Sequence, residues 1–336
     1  MRNLSIVIPC FNEAPVLRET HRRLSAVFCP AGAPVEFLFV DDGSKDQTFA
    51  TLKELAAADP RVRVIRLSRN FGHQAAVAAG LRCCVGEVAA VIDADLQDPP
   101  ELIPEMLELM DREQSSVVYG QRSSRRGDGF LKKLTARTFY RLLNAMSDVK
   151  FPLDTGDFRL LDRRVIDVFN SLPERNKYIR GLISWIGFKQ TAFRYARNPR
   201  FAGKTKYRPS RMLKLATDGL FSFSRKPLRL AVRTGLFSVV VALALAVWVV
   251  VIRLTAGSDT AAGWASIVVV TVFLGGVQLL SIGVLGEYIG SIFDETKRRP
   301  DYVVAETLNL SAETVDLTMP AACGGQGRGG CRDSSR

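Results

Sequence analysis

The sequence predicts an α/β fold: a mostly parallel sheet with helices on both faces, followed by an interfacial helix and two transmembrane helices. Three observations carry that expectation. Short apolar runs rich in Val and Ile alternate with helical stretches of about 10 to 15 residues, the pattern of strand–helix–strand units. Polar and acidic residues gather where those runs end. Two long apolar segments lie near the end of the chain, each close to the ~20 residues that a bilayer requires.

Residues 4–9 form the first strand, and Asn12 or Glu13 opens a helix to about Phe28. The second strand, 35–40, ends in Asp41-Asp42-Gly43-Ser44-Lys45-Asp46, and a helix from about 47 to 58 follows. The third strand is 62–67, and Ser68-Arg69-Asn70-Phe71-Gly72 leads into a helix over 73–84. The fourth, 88–92, runs straight into Asp93-Ala94-Asp95-Leu96-Gln97-Asp98. Asp98-Pro99-Pro100-Glu101 reads as the start of a helix over 100–112, with Asp98 as N-cap and Glu101 closing a capping box. The fifth strand, 116–119, ends in Gly120-Gln121-Arg122.

Ligands of open α/β sheets sit beyond the carboxyl ends of the strands, where Asp93 and Asp95 stand. Two carboxylates so close repel unless a cation lies between them or one takes up a proton. Oxygen ligands suit Mg2+ or Mn2+, commonly held jointly with substrate phosphates. A divalent-metal site gripping a diphosphate is the expectation. Asp-x-Asp alone is a weak motif; its place after a buried strand gives it weight. No Gly-x-Gly-x-x-Gly follows the first strand and no Walker loop is present, so the nucleotide is held otherwise than in dehydrogenases and P-loop enzymes.

The formal net charge of +12 points to phosphate-rich partners. Six cysteines without zinc spacing suggest a reducing compartment. No signal peptide precedes the first strand, so the N-terminal part is expected in the cytosol. Residues 123–129 read as a charged loop and 131–146 as an amphipathic helix. Asp154-Thr155-Gly156-Asp157, turn-like and running into an apolar strand, is a second candidate site element. Arg175, Lys177 and Arg180 flank another helix. Arg197, Arg200, Lys204, Lys206 and Arg208 form a basic run with Phe201 and Tyr207. Its place before a membrane segment favours lipid headgroups or an acceptor phosphate. Nucleic acid is not expected, because no stacking groove of basic and aromatic residues forms.

Residues 211–224 read as an interfacial helix. The apolar spans are 236–252 and 265–282. Arg225, Lys226, Arg229 and Arg233 precede the first, and Lys297, Arg298 and Arg299 follow the second, which places both ends in the cytosol. Past residue 310 the chain is small and polar and is expected to be disordered. The expected organisation is a cytosolic domain over 1–208, a juxtamembrane region over 209–229, a two-span hairpin over 230–292 and a cytosolic tail over 293–336.

Pro9-Cys-Phe-Asn-Glu13, Val40-Asp-Asp-Gly-Ser44, Ser68-Arg-Asn-Phe-Gly72, Asp93-Ala-Asp-Leu-Gln-Asp-Pro-Pro-Glu101 and Gly120-Gln-Arg122 together resemble the family 2 glycosyltransferases with a GT-A fold. With Gly156-Asp-Phe-Arg-Leu-Leu-Asp-Arg163, Arg180-Gly-Leu, Trp185-Ile-Gly-Phe188, Arg200-Phe-Ala-Gly-Lys-Thr-Lys-Tyr207 and the two spans, the chain is similar to polyprenyl-phosphate glycosyltransferases. The resemblance is specifically to the bactoprenol (undecaprenyl-phosphate) glucosyltransferase branch, of which dolichyl-phosphate mannose synthases are cousins. The resemblance covers about residues 4 to 300, with His73 standing where relatives often carry Lys. It implies that Pro9, Phe11, Asn12, Glu13, Asp41 and Asp42 hold the uridine and ribose of a UDP-sugar. Asn70, Asp93, Ala94, Asp95 and Gln97 complete the donor site, with the metal on Asp93 and Asp95. Catalytic roles fall to Asp157, in the family's general-base position beside the anomeric carbon, to Asp95 and to Arg122. Arg122, Arg200, Lys204 and Lys206 meet the polyprenyl phosphate.

The implied reaction is inverting transfer of a hexose, most simply glucose from UDP-glucose, at a bacterial inner membrane by a homo-oligomer among membrane lipids. A GDP-mannose-dependent mannose synthase is one alternative, and a non-catalytic, membrane-tethered sugar-nucleotide binding protein is another. A processive polysaccharide synthase is disfavoured, since no Gln-x-x-Arg-Trp segment is found.

Overall fold

The computed structural model describes residues 2–28, 34–122, 155–175, 177–196, 226–255 and 263–310. The chain divides into two compact units. The first comprises Met1–Ser124, Asp154–Lys204 and Arg298–Arg336; the second comprises Arg125–Leu153 and Thr205–Lys297.

The first unit is built on an eight-stranded sheet in the order β7-β5-β6-β4-β1-β2-β3-β8. Its front half follows the expected alternation: β1 (Leu4–Cys10), α1 (Ala14–Phe28), β2 (Val35–Asp41), α2 (Thr48–Ala58), β3 (Val62–Leu67), α3 (His73–Cys83) and β4 (Val88–Val91). These four strands pair in parallel, β4 and β2 flanking β1 and β3 lying beyond β2. Every residue of β1, β2 and β4 is buried. Strands covered on both faces read as near-continuous apolar runs, broken here only by single polar residues such as Ser5 and Glu36, which is why they stand out in the sequence. Ile6, Ile8, Phe37 and Phe39 face one core with Leu17, Leu24, Leu52 and Met106. On the other face α3 lies so close that a Cβ on Gly80 would stand 2.3 Å from the Val7 side chain.

A 3-10 turn (Pro100–Leu102) and α4 (Ile103–Glu113) follow, then β5 (Val117–Arg122). β5 runs through Gly120-Gln121-Arg122, which the sequence suggested would lie beyond the strand. β6 (Thr155–Asp162) is antiparallel to both β4 and β5 and lies between them. This reversal brings the amino end of β6 to the edge where the parallel strands end. α5 (Arg163–Ser171) and α6 (Ile179–Ile186) follow, then β7 (Gln190–Tyr195), parallel to β5.

The expected capping box at Asp98 does not form: the 3-10 turn begins without a side-chain cap. The Asp98 carboxylate is fully buried and accepts a hydrogen bond from the Tyr195 hydroxyl at 2.5 Å. A buried carboxylate is better satisfied by that donor than left facing a proline that lacks an N–H.

An eighth strand was not foreseen. β8 (Val304–Leu308) pairs antiparallel with β3 and covers its edge. Tyr302 is buried, the Ser68 amide donates to the Val303 carbonyl at 2.9 Å, and the Asn309 side chain donates to the carbonyls of Ala56 and Val62 at 2.8 and 2.9 Å. Lys53 and Glu306 pair at 2.8 Å.

In the second unit α7 (Lys226–Thr255) and α8 (Trp264–Thr296) pack on one another. The apolar spans read from the sequence fall inside these helices. Phe237, Leu243, Phe273, Leu279 and Leu280 are largely exposed along them. Among the described residues, Phe273–Thr296 is long and apolar enough to cross a membrane, and Ala231–Leu245 is a shorter apolar helix. The amphipathic helix, the basic run, the interfacial helix and the cysteine-bearing tail anticipated from the sequence lie outside the described residues.

Candidate active site

Four loops leave the carboxyl ends of β1 to β4, and their backbone is tied together by short polar side chains. Asn12 adopts a left-handed conformation (φ 53°), which asparagine tolerates better than most residues. Its side-chain oxygen accepts from the Lys45 amide at 2.9 Å, while its own amide donates to the Ser44 hydroxyl at 2.9 Å. The Glu13 amide donates to Thr48 Oγ1 at 2.9 Å. The β1 and β2 loops are thus one connected rim. Pro9 ends inside β1, and Phe11 is half-buried beside that rim.

Asp42 joins the next loop to it. Its two carboxylate oxygens accept from the amides of Phe71 and Gly72, at 2.7 and 3.0 Å. Asp41 is fully buried; one oxygen accepts from the Ser44 amide at 3.0 Å, and the other has no hydrogen bond and lies 3.7 Å from Arg66 Nε. Burial pushes both carboxyls above their ordinary range, against the hydrogen bonds they accept. Asn70 is exposed at the lip of this loop.

Gly43 makes the close approach possible. It sits at φ +65°, and a Cβ there would lie 2.4 Å from the Arg69 carbonyl carbon. Both its space and its backbone conformation exclude a side chain. Gly43→Ala is expected to cost at least about 1–3 kcal/mol through overpacking, read as a fall in thermal unfolding temperature.

Beyond β4 the chain turns sharply through Asp93 to Asp98. Leu96 is held at φ 58°, a costly conformation for a branched residue, and it is buried so that it cannot relax outward. The Thr20 hydroxyl of α1 donates to the Ala94 carbonyl at 2.9 Å, and Asp95 accepts from the Gln97 amide at 3.1 Å. Together with the Tyr195–Asp98 bond these contacts hold Asp93 and Asp95 in fixed positions. Burial, and then the negative charges of Asp157, Asp98 and Asp95, push Asp93 up to about 6, against the opposing pull of His73.

The antiparallel strand β6 delivers Asp157 to the same edge. Arg180, in the first turn of α6, grips it with a planar fork: Nε to Oδ1 at 2.8 Å and Nη2 to Oδ2 at 3.0 Å. His73 Nε2, at the start of α3, lies 3.1 Å from Oδ2 of Asp157 and 3.7 Å from Oδ1 of Asp93. Arg159, buried two residues along β6, stands 3.8 Å away and donates to the Gly156 carbonyl. Burial alone would raise Asp157. The charge of Arg180 and the hydrogen bonds from His73 and Arg180 hold it well below the usual carboxylate range. Burial opposes a charge on His73, yet the hydrogen bond to Asp157 and the nearby carboxylates push it up to about 9.

The structure therefore brings together the loops that carry Pro9 to Glu13, Asp41, Asp42, Asn70, Asp93 to Gln97 and Asp157, with Arg122 at the carboxyl end of β5. Arg200, Lys204 and Lys206 lie outside the described residues. Sequence reasoning did not assign Arg180, His73, Arg159 or Tyr195 to the site. Arg180 was visible as a charge flanking a helix and as part of the Arg180-Gly-Leu resemblance, without a role, and His73 only as a departure from a family pattern.

Among the described residues no three His, Cys, Asp or Glu side chains are grouped to cage a metal. Asp93 and Asp95 offer hard carboxylate oxygens at a crowded, electronegative edge. That suits an open Mg2+ or Mn2+ position of the kind completed by substrate phosphates.

Residues 5–169 match the family model described as Glycosyl transferase family 2, and residues 226–292 match the GtrB C-terminal hairpin. The family model, laid over a mostly parallel sheet, defines a glycosyltransferase. The chain belongs to the family 2 glycosyltransferases. The uncharacterized glycosyltransferase YkcC of Bacillus subtilis is 48% identical over 91% of this chain and 94% of its own. The prophage bactoprenol glucosyl transferase homolog of Escherichia coli is 40% identical over 90% of this chain and 98% of its own. Among solved structures, glucosyl-3-phosphoglycerate synthase of Mycobacterium tuberculosis is 21% identical, at a TM-score of 0.46, over 66% of this chain and 79% of its own.

Proposed function

We propose that this enzyme moves a hexose, glucose from UDP-glucose, onto undecaprenyl or another polyprenyl phosphate at a membrane surface. One observation carries the reading: a carboxylate edge suited to a sugar diphosphate shares a chain with a hairpin matched to the GtrB C-terminal hairpin. Relatives aligned over nine-tenths of the chain, named bactoprenol glucosyl transferases, support the same acceptor. An acceptor with a long apolar tail cannot leave the bilayer, so the site must be brought to the headgroup plane. Two spans with both ends cytosolic, an interfacial helix over 211–224 and the basic run at Arg200, Lys204 and Lys206 would do this.

The rim of Asn12, Glu13, Asp41 and Asp42 would receive the nucleoside, and the Asp93–Gln97 turn the diphosphate. Asp93 and Asp95 would hold Mg2+ or Mn2+, whose charge, when bound, offsets that growing on the departing UDP. From the carboxyl end of β5, Arg122 would meet the acceptor phosphate. Asp157 is poorly suited to take a proton, because Arg180 and His73 occupy it and keep it ionised. A phosphate monoester with a second pKa of about 6 is already largely dianionic near neutral pH and needs no base. We assign Asp157 instead a fixed negative charge that orients the reacting groups and favours positive character on the sugar carbon.

Incubating the detergent-purified enzyme with labelled UDP-glucose and undecaprenyl phosphate tests the reading. Label entering the lipid phase is the expected result. Label from GDP-mannose alone would identify a mannose synthase, and no transfer from any donor, with binding retained, a sugar-nucleotide binding protein. Replacing Lys204 and Lys206 by Gln is expected to raise the KM for lipid acceptor about thirtyfold, from about 1 kcal/mol lost for each of the two charges near a surface, while UDP-sugar binding is unchanged.

A further inference from the structure

Asp157 is anchored from outside its own strand. Arg180 reaches it from α6, 23 positions along the chain, and both guanidinium bonds are short. α6 is itself fixed where it begins: the Ile179 amide donates to the Gln74 side chain at 3.0 Å, one residue after His73, and Lys177 lies 3.7 Å from Asp301. Arg180 is partly exposed whereas Asp157 is buried, so the fork closes over the carboxylate from the solvent side. A single carboxylate between a guanidinium fork and an imidazole cannot rotate without breaking bonds on both oxygens.

We propose that Arg180 is the positioning residue of this enzyme, setting the plane of the Asp157 carboxylate through a two-bond fork, on the side opposite the His73 ring that spans from Asp157 to Asp93. This rests on the glycosyl-transfer reading given above. Lysine cannot substitute, since a point charge on a flexible stem reaches one oxygen at a time and leaves the plane free. Arg180 acts through Asp157 and need not touch either substrate.

The test measures lipid-linked glucose formation by wild type, Arg180→Lys, Arg180→Ala, Asp157→Asn and the Arg180→Ala/Asp157→Asn double variant, with donor KM and kcat separated. Expected are losses of about 10- to 100-fold in kcat for Arg180→Lys, of the order seen when an orienting partner is removed, with little change in donor KM. Arg180→Ala should recover part of its loss on adding guanidinium ion but not ammonium ion, a response that general unfolding would not give. The double variant should be no slower than Asp157→Asn alone, because two members of one interacting unit do not add. Additive losses would mean that Arg180 contacts the reactants itself, and wild-type kcat in Arg180→Lys would mean that charge alone suffices; either overturns the proposal. Wild type that glycosylates no lipid would instead defeat the functional reading.

Discussion

Asp93→Asn and Asp95→Asn are each expected to lower kcat for sugar transfer by about 10²–10³, the cost of removing one preorganised electrostatic contact from a transition state. Both side chains sit in a turn held from three directions, by Thr20, by Gln97 and by the Tyr195–Asp98 bond, so the amide replacements keep the backbone path. Stability should change little at Asp93, where neutralising a carboxylate crowded by Asp95, Asp98 and Asp157 relieves repulsion. Circular dichroism and thermal unfolding check the fold, and the transfer assay gives the rate. Transfer at full speed in both variants would remove the donor-diphosphate assignment altogether.

Asp157→Asn should be equally costly to turnover, about 10²–10³, and more costly to the fold. Removing one partner of a buried ion pair leaves the other charge uncompensated, at about 3–5 kcal/mol. Here Arg180, Arg159 and His73 would all face a neutral amide. The pH profile separates the two roles open to this carboxylate. If the acceptor dianion is the nucleophile, wild type and variant both gain rate as pH rises through about 6, where the acceptor loses its second proton. A base role predicts otherwise: wild type would stay flat below that point by using the monoanion, and only the variant would acquire the limb.

The front of the sheet was legible because its strands are buried on both faces. Continuous runs such as Val35–Asp41 followed by Asp and Gly mark both the strand and its carboxyl end. The mostly parallel architecture and the acidic edge follow from that. What escaped was governed by partners distant in sequence. Nothing near Asp157 says that its strand runs backwards between β4 and β5, so the side chain looked like part of a turn. Arg180-Gly-Leu matched a family pattern, but no local signal gave Arg180 a partner until α6 placed its fork on Asp157. Asp98 fitted a capping box on local grounds, and the hydroxyl of Tyr195, 97 positions away, claimed it instead. The strands β7 and β8 are only partly covered, so neither carries the apolar signal of the central ones.

The place of β8 in the chain has a consequence for how the protein is made. The strand that shields β3 is translated after both long helices, so for much of synthesis the nascent sheet keeps a bare margin whose amides and carbonyls invite pairing with other chains. Closure of that margin awaits emergence of Val304–Leu308 from the ribosome. Completion of the sheet therefore follows production of the apolar hairpin, and a chain truncated between the two would carry β3 as an unpaired edge.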